Sequence, residues 1–376
     1  MSFETEFKDI RPFNNSEVTE AIELLISDPN FNKVSHFFHP DKRKAIQTLR
    51  TIKTIEDFQT RFSNSFLNHI IETTSDGLTS SGVEEIKGKG HLYIANHRDI
   101  ILDTAFLQLM LQRNNIPTTE ITVGDNLMKN SLFKILGKLN KVFTLKREGT
   151  RIEMYNNFIL HAKYINQVIR VKNESLWIAQ RDGRTKDGDD KTQQGLLKMV
   201  LGDRKDIIPA LQELAIVPVS TSYELEPCLK SKIRETYITS KGEEYVKSKD
   251  EDMHSVATST LAPKGRIHIG FGQRLNLVFQ DTKLDKLSNN EIINLFVEEI
   301  DKQIYKNYKL WPFNYVAFDS LASEQQFSDK YNNKDVELFE KYINKAIADI
   351  KGDKNKLKEI AYHIYANPVK NKLSIQ

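Results

Sequence analysis

The chain has 376 residues, of which 39% are hydrophobic and 28% charged, and its formal net charge is +3 at pH 7. This composition is typical of a globular protein with one or two domains and a sizeable core, and it argues against a disordered chain. The mild charge and the lack of a basic tail give no reason to expect nucleic acid as a partner. The single cysteine, Cys228, excludes an intramolecular disulfide framework and suits a reducing compartment.

The first 82 residues are predicted to form a helical N-terminal module. Helices are expected over about 15–27, 40–52 and 54–73. Thr54 and Asp57 have the spacing of a capping box at the start of the third. The run 76–82 reads DGLTSSG and is rich in turn-forming residues, so we predict a hinge there. No secretory signal and no apolar run long enough for a transmembrane helix are visible, so any membrane contact is expected at the surface.

From residue 90 onward, strand-like apolar runs alternate with helix-like stretches. Strands are predicted over 91–95, 120–123, 142–146, 175–179, 216–223 and 266–271. Helices are predicted over 103–113, 126–138, 151–170 and 194–214, then from a cap at Ser288 to about 308, and over 334–350 and 354–372. This alternation predicts an α/β domain over 83–280 with a mixed, largely parallel sheet flanked by helices. Residues 281–376 are expected to form a helical extension packed on it.

The sequence IANHRDIILD, residues 94–103, combines the end of a strand, a tight turn and the start of an apolar, helix-like segment. It places His97 at the carboxyl end of a strand, where ligands bind in α/β sheets. Histidine can take or give a proton near neutral pH, and a nearby carboxylate can fix its tautomer. Asp99 and Asp103 are four residues apart and would share a helix face, so either could be that partner.

Positive charges follow two more predicted strands. The strand 142–146 ends in Lys146 and is followed by Arg147, and Arg181 and Arg184 lie in the charged, glycine-containing loop that follows 175–179. If these cations gather at the same sheet edge as the histidine, they form an anion-binding site beside a base, and guanidinium groups pair well with phosphate.

Three other patterns have a structural and a functional interpretation. Pro218, inside the run 216–220, indicates an edge strand, a strand start or a bulge. The acidic cluster 187–190 lacks the spacing of a calcium loop and is predicted to be a solvated loop. Residues 126–147 carry apolar side chains mostly on one face with lysines around it. Such a basic amphipathic helix can lie in an anionic lipid surface, although a core helix with a lysine-rich outer face has the same pattern.

At this point the sequence resembles the glycerol-3-phosphate and lysophosphatidate acyltransferases, in the form of a subgroup from Bacteroidetes. The resemblance covers residues 90–275. Its four motifs correspond here to Asn96-His97 with Asp103, to Phe143–Arg147, to Arg181-Asp182-Gly183-Arg184, and to Val217-Pro218-Val219. It implies an acyltransferase fold in which His97 is the general base and Asp103 or Asp99 orients it. It also implies that Arg147, Lys146, Arg181, Asp182, Gly183, Arg184 and Pro218 belong to the substrate site.

Two positions depart from the family pattern. The family aspartate stands five residues after the histidine, where this chain has Leu102, and Asp103 is one residue further. On a helix, one extra residue turns a side chain by about a third of a turn, so Asp99 remains an alternative. In the third motif, Arg181 occupies the glutamate position. The sequence EGTR at 148–151 spells that motif literally but comes too early, and we predict that it caps the following helix.

The resemblance implies transfer of a fatty acyl group from acyl-carrier protein or coenzyme A to a hydroxyl of glycerol-3-phosphate or a lysophospholipid. No cofactor and no metal are expected. The partners implied are the thioester donor and a membrane surface, at the inner face of the cell membrane. Two alternatives remain: a lyso-aminolipid acceptor, such as a glycine or ornithine lipid, and a non-catalytic homologue that binds lipid or acyl carrier. A serine-hydrolase elbow, zinc-ligand spacing and nucleotide phosphate loops are absent from the sequence.

Overall fold

The computed structural model describes residues 3–36, 39–86, 88, 90–248, 251–280, 282–322 and 324–376. Its centre is one seven-stranded sheet. The strands are β1 Ser75–Ser81, β2 Leu92–Ala95, β3 Glu120–Gly124, β4 Val142–Leu145, β5 Leu176–Ala179, β6 Val217–Tyr223 and β7 Gly265–Phe271. Their order across the sheet is β1-β7-β6-β2-β5-β3-β4.

Five neighbouring strands, β6, β2, β5, β3 and β4, are parallel to one another. β7 pairs antiparallel with β6, and β1 pairs parallel with β7. The predicted mixed, largely parallel sheet flanked by helices is therefore confirmed. The carboxyl ends of the five parallel strands all meet at one edge, which we call the carboxyl edge.

Helices surround the sheet in chain order. Before β1 come α1 Phe3–Glu6, α2 Val18–Ser27, α3 Phe31–Ser35, α4 Lys42–Thr51, α5 Ile55–Phe58 and α6 Asn64–Thr74. Between β2 and β6 come α7 Leu102–Arg113, α8 Asp125–Met128, α9 Ser131–Leu139, α10 Arg151–Asn166, α11 Gln194–Leu201 and α12 Ile207–Glu213. After β6 come α13 Leu229–Thr239, α14 Glu251–Leu261, α15 Leu275–Val278, α16 Asn289–Lys306, α17 Pro312–Leu321, α18 Asn333–Ile347 and α19 Lys354–Leu373.

Alternate residues of the central strands enter two different cores. Ile94 and Ile178 join the core on one face, with residues of α10, α11 and α16. Tyr93 and Trp177 join the core on the other face, with residues of α6 and α7. This two-residue alternation is what a sheet covered on both faces requires.

The predicted hinge at 76–82 is wrong, because residues 75–81 form the edge strand β1. An edge strand pairs on one side only, so it needs fewer apolar side chains than a central strand. Small polar residues serve here: the Thr79 and Ser81 hydroxyls both hydrogen-bond the ring of His268 in β7. The three proposed domain ranges remain a prediction, with β1 of the first range contributing to the sheet.

Two predicted helices are each divided in two. The helix expected over 126–138 is interrupted before Asn130, whose side chain accepts a 3.0 Å hydrogen bond from Phe133 N and so caps α9. The helix expected over 194–214 is interrupted at Gly202, where the backbone has a φ of +66°.

The apolar face of α8 and α9 lies in the protein interior. Leu132 and Leu139 pack in a core with residues of α2, α4 and α5. Met128 packs in the core that the sheet forms with α6 and α7. Of the two interpretations of this stretch, the core-packed helix is correct for α8 and α9. Lys138 itself is buried, and burial lowers its pKa to about 8. Across the described ranges, every helix is too short or too polar to cross a membrane.

Candidate active site

Asn96, directly after β2, fastens the candidate site to the neighbouring strand. Its Oδ1 accepts a 2.7 Å hydrogen bond from Thr221 N of β6, and its Nδ2 donates to Thr221 O at 3.1 Å. The side chain is completely buried. The backbone that carries His97 is thereby held at a fixed position at the carboxyl edge.

His97 and Asp103 form a close pair. His97 Nδ1 lies 3.0 Å from Asp103 Oδ2, and the imidazole stands edge-on to Trp177 of β5. Asp103 Oδ2 also accepts hydrogen bonds from the backbone N–H of Arg98, at 2.6 Å, and of Asp99, at 2.9 Å. Because Asp103 Oδ2 already accepts hydrogen bonds from two backbone N–H groups, it is an acceptor toward His97 as well, and Nδ1 must be the donor. The lone pair of the neutral imidazole is therefore on Nε2.

The extra residue before Asp103 is accommodated in the loop, not in the helix. Helix α7 begins only at Leu102, and residues 98–101 form an irregular turn in which the N–H groups of Arg98 and Asp99 point at the Asp103 carboxylate. The helical rotation argument therefore does not apply, and Asp103 reaches His97. The expectation that Asp99 and Asp103 share a helix face is wrong.

Asp99 holds the turn instead of contacting the imidazole. Its Oδ1 accepts hydrogen bonds from the backbone N–H of Ile101, at 3.0 Å, and of Leu102, at 2.8 Å. These donors lie at the start of α7, where backbone N–H groups have no partner within the helix. Asp99 thus shapes the loop that brings Asp103 to His97.

The loop after β5, which carries Arg184, is joined through its backbone to the loop that carries the histidine. The next residue, Thr185, donates its backbone N–H to the carbonyl of His97 at 2.9 Å. Arg184 is buried, and its Nη1 has no hydrogen-bond partner within the described part of the chain. A buried guanidinium with an unused donor is suited to bind an anionic group.

The remaining predicted cations divide between two places. Arg147 forms an ion pair with Asp182, which joins the loops after β4 and β5, and its side chain is 43% exposed. Lys146 instead pairs with Asp9 of the N-terminal segment at 3.5 Å. Arg181 has its Nε buried and unpaired as far as the described residues go. Arg147, Arg181 and Asp182 are therefore near the carboxyl edge in one group, and Lys146 is directed to another segment.

Gly183 and Pro218 have backbone roles. Gly183 has a φ of +69°, a conformation that glycine adopts without strain, at the turn between Asp182 and Arg184. Pro218 is the second residue of β6 and lies opposite Ile94 of β2. The strand-start interpretation is correct and the edge interpretation is wrong, because β6 has neighbours on both sides. Pro218 lies within the sheet and not at its carboxyl edge.

The cap prediction for EGTR is confirmed. Thr150 is the N-cap of α10: its hydroxyl accepts a hydrogen bond from Glu153 N, and Glu153 Oε2 accepts one from Thr150 N. Glu148 pairs with Lys129. This literal copy of the third motif is therefore a capping box, and the assignment of the third motif to the loop 181–184 stays a prediction.

Residues 77–210 match the model of the Acyltransferase family. The match spans about a third of the chain and includes His97, Asp103, Arg147 and Arg184. The resemblance drawn from the motifs is thus supported at the level of acyltransferases. No curated protein matches the sequence. Among solved structures, the chain is similar to the 1-acyl-sn-glycerophosphate (LPA) acyltransferase PlsC from Thermotoga maritima, with 12% identity, a TM-score of 0.36, and coverage of 76% of this chain and 92% of that one.

Asp190 is a site residue that the sequence interpretation missed. The cluster 187–190 was predicted to be solvated, but Asp190 is completely buried. Burial opposes its ionisation, yet the charge of Arg98 and hydrogen bonds from surrounding side chains lower the pKa of Asp190 below its ordinary value. Arg98 is also near Glu226, at 3.5 Å, and Glu226 in turn pairs with the buried Lys232. The four residues form a buried charge network next to His97.

The segment after β6 also contributes to the surroundings of Arg184. Burial opposes ionisation of Asp252 in α14, but hydrogen bonds and charges from Lys247, Asn126 and Arg184 together lower its pKa. Cys228, a free thiol at the start of α13, has its pKa raised by burial and by Asp99. A raised pKa disfavours the reactive thiolate. Over the described ranges, no group of three or more His, Cys, Asp and Glu side chains is arranged to hold a metal ion.

Proposed function

We propose that the protein is an O-acyltransferase that moves a fatty acyl group from a thioester to the hydroxyl of glycerol-3-phosphate or a lysophospholipid. The observation that carries the proposal is that the loop of the His97–Asp103 pair is hydrogen-bonded to the residue after Arg184, a buried guanidinium with an unused donor. A base and an anion-binding group on adjoining loops suit an acceptor that carries both a hydroxyl and a phosphate. The family match over residues 77–210 supports the same reaction class.

In the proposed reaction, His97 Nε2 takes the proton of the acceptor hydroxyl while its oxygen attacks the thioester carbonyl carbon. The tetrahedral intermediate expels the thiolate of acyl-carrier protein or coenzyme A, and the imidazolium returns the proton to that sulfur. The products are an ester and a thiol. Asp103 stabilises the imidazolium and keeps Nδ1 protonated in the resting ring. No acyl-enzyme and no cofactor enter this sequence.

Arg184 would hold the phosphate of the acceptor, since its Nη1 donor is unused and burial strengthens its interaction with an anion. Arg147 would assist from the exposed side, where its pairing with Asp182 can be exchanged for a phosphate oxygen. The product is an amphiphile, so we expect the enzyme to work at the inner face of the cell membrane.

The test is acyl transfer by purified protein from acyl-carrier protein and coenzyme A thioesters. The acceptors are glycerol-3-phosphate, lysophosphatidate and a monoacylated aminolipid, whose carboxylate the same arginines could bind. His97→Ala should lower kcat by roughly 10²–10⁴-fold, the usual contribution of a general base. His363→Ala, at an exposed position of α19, is the matched control and should leave the rate unchanged. Wild-type rates in a folded His97→Ala variant, or no turnover by wild type with any pairing, would contradict the proposal.

A further inference from the structure

We infer that Asp190 is a positioning residue that locks the loop carrying His97 to the loop carrying Arg184. The inference rests on the proposed function, because it assigns a role within the same site. It concerns a side chain that is completely buried. Three of its hydrogen-bond partners, Asn96, Arg98 and Thr185, are immediate chain neighbours of the two residues that would act on substrate.

The two oxygens of the Asp190 carboxylate form hydrogen bonds to different loops. Oδ2 accepts hydrogen bonds from Asn96 Nδ2, at 2.9 Å, and from Arg98 Nη2, at 2.7 Å. These two residues flank His97. Oδ1 accepts a 2.6 Å hydrogen bond from the Thr185 hydroxyl, and Thr185 follows Arg184 directly. One carboxylate thus connects both loops, alongside the backbone hydrogen bond from Thr185 N to His97 O.

Burial makes this connection rigid. Asp190, Asn96 and Thr185 have no exposed surface, and Arg98 is 5% exposed. A buried carboxylate is tolerated only when charges and donors satisfy it, and removing one partner costs much more than at the surface. Because the geometry of all these donors is fixed, neither loop can shift alone without leaving a buried polar group unpaired.

The C-terminal helices support the same carboxylate. Tyr308, just after α16, donates its hydroxyl to Asp190 Oδ2 at 2.7 Å. Gly188 lies so close to α19 that a Cβ there would come within 2.3 Å of Ile364 O. The carbonyl of Gly188 accepts a hydrogen bond from Arg98. The loop 187–190 therefore contacts the segment after β2 on one side and the C-terminal helices on the other.

The most specific variant is Thr185→Val, which keeps the shape and the backbone N–H but removes the hydroxyl that reaches Asp190. If Asp190 positions both functional groups, kcat should fall roughly tenfold and the KM for the phosphate-bearing acceptor should rise several-fold, since small misplacements in an active site have effects of this size. Thr185→Ser restores the hydroxyl and should restore both constants. Asp187→Asn, an exposed aspartate of the same loop, is the matched control and should match wild type.

A second readout separates this inference from the proposed function. Titration calorimetry with glycerol-3-phosphate and with inorganic phosphate measures the anion site without turnover, with Arg184→Gln as the reference for its loss. Weakened binding in Thr185→Val and recovery in Thr185→Ser support the inference even if no acyl transfer is found. Wild-type kcat, KM and anion affinity in folded Thr185→Val overturn it. Losses that follow only the unfolded fraction, measured by thermal unfolding, also overturn it.

Discussion

The hydroxyl of Tyr223 donates a 2.8 Å hydrogen bond to Asp103 Oδ1, the carboxylate oxygen on the opposite side from His97. Tyr223 is the last residue of β6, and Asp103 is in the first turn of α7. The pair therefore connects the sheet to the helix that supplies the partner of the histidine. Burial, reinforced by the Asp103 charge, raises the pKa of Tyr223, which remains a neutral donor. This hydrogen bond fixes the orientation of the carboxylate.

Replacing Tyr223 by phenylalanine should therefore affect catalysis through Asp103. We expect Tyr223→Phe to lower kcat roughly three- to tenfold, as for loss of one hydrogen bond of ordinary strength, about 1 kcal/mol. Tyr362→Phe removes a comparable tyrosine–carboxylate bond, to Glu340, in the C-terminal helices and is the control. Steady-state kinetics measure the difference, and a wild-type kcat in folded Tyr223→Phe would refute this role.

The two aspartates near His97 should behave differently. Asp103→Asn offers an amide where the imidazole needs an acceptor, so the ring can take the wrong tautomer, and kcat should fall by roughly 10³-fold. Asp99→Asn keeps an oxygen that can accept from Ile101 N and Leu102 N, so its effect should be less than roughly tenfold. Steady-state kinetics of the two variants decide the point. Equal losses in both would contradict the assignment of Asp103.

His161 should make folding sensitive to acid. Its buried ring accepts a 3.1 Å hydrogen bond from Lys146 N at the end of β4, and burial, with the charges of Arg147 and Lys146, lowers its pKa to about 4. An unfolded histidine has a pKa of about 6.5. Between these values the unfolded chain binds a proton that the folded chain does not, so stability falls as the pH drops through this window.

The variant His161→Gln keeps an acceptor for Lys146 N but does not titrate. Relative to wild type, its free energy of unfolding should gain about 2 kcal/mol between pH 7.5 and pH 5, by linkage. Urea unfolding at both pH values measures the difference, and His363→Gln, at an exposed site, should show no such gain. A constant difference between His161→Gln and wild type at the two pH values would disprove the effect.

The sequence predicted the strands correctly where a strand that is buried on both faces is also apolar in sequence. β2 and β5 are short apolar runs and β6 begins with one, because both faces of the central sheet are covered. β1 could not be found in this way, since an edge strand of serines, threonine and glycine has the composition of a turn. Helices α13 and α14 were also missed. Their sequences are rich in polar residues, and only four side chains of each are buried.

The candidate site was predictable in its residues but not in its pairings. The sequence placed His97, Arg147 and Arg184 at strand ends, where the structure has them. It could not choose between Asp99 and Asp103, because the choice depends on the irregular turn before Leu102. Nor could it find Asp190, since a carboxylate can be buried there only because Arg98, more than ninety positions earlier in the chain, faces it.

The course of residues 307–309 along β6 bears on how small a working version of this protein can be. Ser220 donates to Asn307 O at 2.9 Å, Lys309 N donates to Ser222 at 3.2 Å, and Tyr308 between them reaches Asp190. The portion that matches the acyltransferase family ends at residue 210, well before this contact. A fragment trimmed to the family boundaries would lose β6 and the tyrosine together. The C-terminal third is thus joined by hydrogen bonds both to β6 and to the buried carboxylate beside the candidate site.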